Sequence, residues 1–223
     1  MAQNTFFHPD MRLSDLLYQD YRLHITLSLL GVKLGFCPDA SVKDVCAFNK
    51  VDHNILLFIA NIYASDDYTQ EDYPEYMSFD DSLRYILKIH EYTQQDIIPR
   101  IEQDFFEILD ILTPSNQHDI KKMLKDLEEI FKKYHSNFDL VVENYKNTHQ
   151  PLDRQKTVRL MKPIDKAVFL VELMIRILSD KKLLSSEKQD ECIRLKYFLS
   201  LFLGHIPNHL KIIRYGLAPM FTF

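Results

Sequence analysis

From Phe79 to the end of the chain, apolar residues recur every three or four positions through four long segments, and no stretch alternates with period two. That recurrence gathers one stripe of each segment onto a single face of an α-helix. A chain patterned this way must bury each stripe against other helices, so the expected fold is all-α. The first segment runs from about Asp80 to Leu112. It turns Leu83, Ile86, Leu87, His90, Ile97, Ile101, Phe105, Ile108 and Leu112 inward. Pro99 should kink it, because proline removes one ladder hydrogen bond. Thr113-Pro-Ser-Asn reads as a turn. The second segment, about Asp119 to Asn147, carries Ile120, Met123, Leu127, Ile130, Phe131, Tyr134, Phe138, Val141 and Tyr145. The third covers about Leu152 to Asp180, with Pro163 as its kink or its true start. The fourth runs from near Ser185 to about Ala218, with Cys192, Leu195, Phe198, Leu199, Phe202, Ile206, His209 and Ile213 on one face. Long helices joined by short loops predict an antiparallel four-helix bundle.

The part before Tyr63 reads as three short helices. Ser14 is positioned to cap the first, which carries Leu16, Leu17, Tyr21, Leu23, Ile25, Leu27, Leu29 and Leu30 and stops at Gly31. Ser41-Val-Lys-Asp44 resembles a capping box with Asp in place of Glu. Asp52 precedes a stripe of Ile55, Leu56, Ile59, Ala60 and Tyr63. No Lys or Arg occurs from Val51 through Ser82. Within that gap, Ser65 to Tyr76 is acidic and aromatic, including Asp66, Asp67, Tyr68, Glu71, Asp72, Tyr73 and Tyr76. It reads as a solvated linker, or else as a docking strip for a basic partner. The expected organisation is a small helical domain over 1–64, an acidic linker over 65–78 and a four-helix bundle over 79–223.

Composition excludes several functions. The net charge of −5 with both signs mixed argues against a nucleic-acid surface. Four glycines leave nothing from which to build a phosphate loop. Cys37, Cys46 and Cys192 are too few and too scattered for a disulfide framework, so reduced thiols and a cytoplasmic location are expected. The N-terminus lacks the pattern of a secretory signal, and no apolar run is long enough to span a bilayer. Neither a nucleophile elbow nor a Ser-His-Asp arrangement can be read from the spacing.

Leu13 to Tyr21, Gly31 to Cys37 and Ser41 to Cys46 together resemble the small N-terminal domain of the repair-of-iron-centres family. The second half resembles the hemerythrin-like bundle that follows this domain in the family. The matching stretches are Ser82 to Tyr92 with Ile98-Pro-Arg-Ile101, then Phe131-Lys-Lys-Tyr134 with Phe138, then His209 with Pro219. The resemblance implies a two-iron site whose ligands are His on the first helix, His-x-x-x-Glu on the second, His on the third and His-x-x-x-Glu on the fourth. His90 matches the first of these and His209 the fourth-helix His. Ile213 stands where the last Glu would be, Val141 and Tyr145 replace the second-helix pair, and Leu160 or Met161 falls at the third-helix position. Two ligands survive and four are lost. Many relatives carry adjacent cysteines at the N-terminal turn, whereas this chain has Cys37 alone, which leaves a single reactive thiol as the only thiol role there.

Spacing offers other donors. His205 shares a face with His209 and could join it and His90 around one metal, with Pro207 between them. His135 and Asp139 lie four apart, but six residues before the expected ligand pair, and six residues turn a helix by roughly 240°. They are therefore expected to face solvent or a partner. Glu102, Glu107, Glu143 and Glu172 could supply carboxylates in a different register. His8, His24, His53, His118 and His149 have no partner at ligand spacing.

The resulting expectation is a degenerate, non-catalytic relative of iron–sulfur cluster repair proteins, which act under nitrosative and oxidative stress. It would serve as a binding or regulatory module with a protein partner, and would bind neither nucleic acid nor membrane. A homodimer is compatible with it. One alternative is a working non-haem iron protein built on His90 and His209 with shifted ligands, for O2 or NO sensing or repair. Another is a metal-free interaction scaffold. The cofactor is accordingly none or iron.

Overall fold

The computed structural model describes residues 7–20, 22–33, 39–64, 78–183 and 186–222. Among them the structure is helical. Extended pairing is limited to two isolated bridges, Arg12 with Ser41 and Leu152 with Phe221. The helices are α1 (Leu13–Gln19), α2 (Leu23–Leu29), α3 (Val42–Phe48), α4 (His53–Ala64), α5 (Phe79–Tyr92), α6 (Ile98–Ile108), α7 (Pro114–Thr148), α8 (Arg154–Leu178) and α9 (Gln189–Gly216). No helix among the described residues is long and apolar enough to cross a membrane. The chain divides into two compact units. One comprises Met1–Ile89 with Asn208–Leu217, the other His90–Pro207 with Ala218–Phe223. The division runs through α5 and α9. The acidic segment falls almost wholly outside the described residues, as do Cys37 and Tyr21.

In the first unit α4 is the centre. Ile55 to Ala60, Ile62 and Tyr63 are all buried, so this helix is apolar on every side and is covered by α2 and α3. The single first helix expected from the sequence is broken in two. Asp20 leaves the helical region at φ −145°, ψ 98°, and its buried carboxylate takes the Arg22 guanidinium in a forked pair, with Nε at 2.8 Å from Oδ1. Arg22 also donates to the Tyr63 carbonyl at 3.2 Å and lies over the Tyr63 ring at 5.2 Å. This bidentate pair fixes a corner that helical periodicity could not reveal. Ser14 lies inside α1 and does not cap it; Arg12 precedes the helix and makes no side-chain cap.

Three other expected boundaries are found. Gly31 has φ +80° just past α2, and Val32 N–H reaches back to the Leu27 carbonyl at 2.8 Å, as a left-handed helix stop requires. Ser41 Oγ accepts from the Asp44 amide at 3.1 Å. Asp52 accepts from the Asn54 amide at 2.9 Å.

In the second unit, Pro99 produces a widened turn. Thr93–Ile97 is π-helical, and Pro99 then opens α6 within its first two positions. A proline has no N–H for the preceding turn and its ring crowds the carbonyl there; the π turn absorbs both problems. The expected turn at Thr113 is the start of α7. Thr113 Oγ1 caps the Asn116 amide at 3.2 Å, and Pro114 sits at the first helical position, where its fixed φ suits a helix. Pro163 lies inside a continuous α8, which begins at Arg154 under an Asp153 cap.

Pairings fix the directions. Asp126 meets Lys166 and Tyr134 meets Met161, so α7 and α8 run antiparallel. Asp110 meets Lys188, Glu107 meets Arg194 and Arg100 meets Phe198, so α6 and α9 also run antiparallel. Leu87, expected inside, is 36% exposed, and Tyr85 and Ile89 take the inner positions on either side of Ile86. On α7, Val142 is buried where Val141 was expected, and Tyr145 is half-buried.

Gly216 packs where no side chain fits. A Cβ there would stand 2.5 Å from Ser82 Oγ and 2.9 Å from Ser82 Cβ, while Ser82 itself is fully buried. Gly216→Ala should lower stability by about 1–3 kcal/mol through overpacking, against the small gain alanine normally brings to a helix. Urea denaturation measures this, and a more stable variant would show that the α5 and α9 backbones do not approach as described.

Candidate functional site

The densest chemistry in the second unit lies on two turns of α7, Phe131 to Phe138. A helix turns 100° per residue, so residues 131, 134, 135 and 138 share one face. The first turns that face inward as Phe131, Tyr134, His135 and Phe138, all buried. His90, near the end of α5, meets it there. The His90 and His135 rings stack with centroids 4.0 Å apart and planes 20° from parallel. Phe138 stands edge-on to His90 at 4.8 Å, and Tyr134 at 5.4 Å. Phe131 packs on His135 at 5.8 Å and on Phe202 of α9 at 5.6 Å.

His135 was expected to face solvent with Asp139, and this is corrected. His135 is 5% exposed, whereas Asp139 is exposed. The error lay in the register. The expected inner stripe ran through Phe131, Tyr134 and Phe138 on to Val141 and Tyr145. The core face does include Phe131, Tyr134 and Phe138, but it continues to Val142, and His135 stands one turn before Phe138 on it. The sequence carried the signal, because Phe131, Phe138 and Val142 are spaced at seven and four from one another and His135 completes their stripe.

His90 is buried as expected. His205 is buried in the second unit and His209 in the first. His8, His24, His118 and His149 are exposed and His53 half-buried. Glu102, Glu107, Glu143 and Glu172 are all exposed, and Glu107 is engaged by Arg194 at 2.8 Å. Among the described residues no group of three or more His, Cys, Asp or Glu side chains is placed to hold a metal ion. The donor set therefore does not fit a di-iron group. The His90 and His135 imidazoles lie face to face beside the Tyr134, Phe138 and Phe131 rings. The Ile213 position that resembles a lost ligand is filled by a fully buried isoleucine, and Leu160 is also buried.

Burial dominates the protonation chemistry. It holds the His135 imidazole down at about 4, and its Nδ1 has no hydrogen-bond partner. Burial pushes the Tyr134 hydroxyl well above its ordinary range. It also raises the Cys46 thiol to about 11, with Asp52 adding to the effect, and raises Cys192. Both thiols are buried and neither is a poised nucleophile.

A polar cleft of about 450 Å³ opens beside the π-helical turn. Arg100 lies 4.6 Å over the Phe198 ring and 4.0 Å from the Asp104 carboxylate, which Arg194 approaches to 3.9 Å. Arg194 continues to Glu107. Two cations and two carboxylates thus neutralise each other across α6 and α9. Burial, reinforced by Asp96, raises the Tyr92 hydroxyl at the same cleft.

Comparison with protein-family models, with curated proteins and with solved structures finds no match to this chain.

The His135 imidazole gives the fold a signed pH dependence. Its folded-state value, about 4, lies below the unbound 6.5. Between those values the unfolded chain takes up a proton that the folded protein refuses. Stability should therefore be flat above 6.5 and fall as pH drops toward 4. Between about pH 7.5 and about pH 5 the loss is about 2 kcal/mol. Urea titrations at both values check this. His135→Phe should remove that share of the loss, and an unchanged slope would show that the ring is not buried neutral.

Proposed function

We propose that this chain is a hemerythrin-like helical protein that has lost most of its iron ligands and acts as a non-catalytic binding or regulatory module. On this reading its relatives work in iron–sulfur cluster repair under nitrosative and oxidative stress, and its own buried histidines are structural. One observation carries the proposal. His90, the residue that resembles the first-helix ligand, stacks on His135 and packs in T-shaped geometry with Tyr134 and Phe138. Iron ligands of this kind need neutralising carboxylates beside the imidazoles. Here the carboxylates considered for that role are exposed. Family membership rests on the resemblance of Leu13 to Cys46, Ser82 to Ile101 and His209 to Pro219, and a cytoplasmic site of action belongs to the same proposal.

A second reading keeps the metal. His90, His135, His205 and His209 are all buried, and His135 retains an unused Nδ1. The resemblance carries this second reading, a working non-haem iron protein whose shifted ligands include His90 and His209.

Elemental analysis of anaerobically purified protein separates the two. The module reading expects much less than one iron per chain, a helical far-ultraviolet spectrum, and a His90→Phe variant that stays folded. About two irons per chain, with a ferric absorption band lost in His90→Ala, would overturn it in favour of the second reading.

A further inference from the structure

The face of α7 and α8 away from the histidine stack carries a groove of about 420 Å³. Its floor is apolar, made by Ile130 of α7 and Pro163 of α8, both half-buried. Its rim is basic. Lys133 stands on the α7 side and Arg159, Lys162 and Lys166 on the α8 side, against only Asp126 and Glu129. Lys166 is already matched by Asp126 at 3.1 Å. Lys133, Arg159 and Lys162 have no carboxylate within ion-pair distance among the described residues. The nearest competing acid on the rim, Glu129, lies 4.0 Å from Lys125.

The arrangement departs from the rest of the molecule. The chain as a whole carries −5, yet Arg154 to Lys166 holds five cations and a single acid, Asp165. The antiparallel α7–α8 pair also buries Ile120, Leu127 and Tyr134 of α7 and Leu160, Ile164 and Ala167 of α8, so its core does not depend on these surface cations. Like charges gathered on one rim repel each other, and an anionic occupant relieves that repulsion.

We propose that this groove docks an acidic segment of a partner protein, one that sets an aliphatic or aromatic side chain on the Ile130–Pro163 floor between carboxylates that meet Lys133, Arg159 and Lys162. The inference rests on the module reading above and gives that module its surface and the chemistry of its ligand. The geometry favours a peptide over other anions. A lone phosphate is held by convergent donors, usually with backbone N–H groups among them, whereas these cations are exposed side chains around an apolar floor. A bilayer requires apolar side chains that project outward, and here the apolar surface is concave. A nucleic acid requires a long basic track, and the net charge opposes it. A groove between two helices with apolar anchors and a charged rim is a recurrent way of seating a helical or extended peptide.

The test is fluorescence anisotropy on the full chain with a short labelled peptide of glutamates flanking two leucines. Saturable binding is expected. It should weaken at least about tenfold in the Lys133→Glu/Lys162→Glu double variant and fall steeply with added salt. Replacing the leucines with serines, or the glutamates with lysines, should abolish it. All three cations are exposed, so the variants should keep the parent melting temperature. If charge reversal lowers it, Lys133→Gln/Lys162→Gln is read instead, with at least about threefold weakening expected. Four outcomes would overturn the proposal: no saturable binding, binding indifferent to both double variants, competition by inorganic phosphate at equal concentration, or preference for phosphatidylserine vesicles or duplex DNA. Metal content separates this failure from failure of the module reading. An iron-loaded protein that still binds the peptide loses only the module reading, and a metal-free protein that ignores the peptide loses only the groove.

Discussion

Two turns of α7 tie the second unit together. Within eight positions, Phe131 reaches Phe202 of α9, Tyr134 reaches Met161 of α8, His135 stacks on His90 of α5, and Phe138 meets both His90 and Phe221 near the C-terminus. Leu152, in the connection after α7, bonds to the Met220 carbonyl and accepts from Thr222, so the last residues are held against the same helix. Aromatic and imidazole rings suit this task. They bury large areas with few rotatable bonds and pack edge to face in defined geometry. The constraint is that the imidazole stays neutral, because a charge inside a ring cluster has nothing to solvate it.

That constraint separates the buried chemistry from the surface chemistry. Inside, the titratable groups are pushed toward their uncharged forms: the His135 imidazole down, and the Tyr134 hydroxyl and the Cys46 thiol up. Charges that remain are exposed or paired, as in the Arg100–Asp104–Arg194–Glu107 chain beside the π turn. Lys133, Arg159 and Lys162, three cations outside any ion pair among the described residues, stand on the outer groove of α7 and α8.

Much of the fold was legible. Helical periodicity placed every long helix, because a 3.6-residue stripe survives in sequence whatever it packs against. Gly31, Ser41 and Asp52 marked helix ends correctly, since caps depend on local hydrogen bonds. The corner at Asp20 was not legible, because it depends on the Arg22 pair and on the Tyr63 carbonyl far along the chain. The π turn before Pro99 was visible only as a kink. The site was read less well. His90 was named and found buried, but His135 was set outside by a register drawn one residue off along α7. A shift that small changes which side chains face the core, and the Phe131, Phe138 and Val142 spacing was the mark of the inner stripe.

The sequence by itself determined that the chain is helical, where its long helices lie and which caps end several of them. All of these follow from interactions within a few residues of each other. Tertiary structure alone decided that His90 stacks on His135, that Gly216 must lack a side chain to pass Ser82, and that cations on α7 and α8 share one groove. Each depends on the separation of two helices in space. Sequence spacing gives the face a residue occupies on its own helix, but not which face of another helix lies opposite.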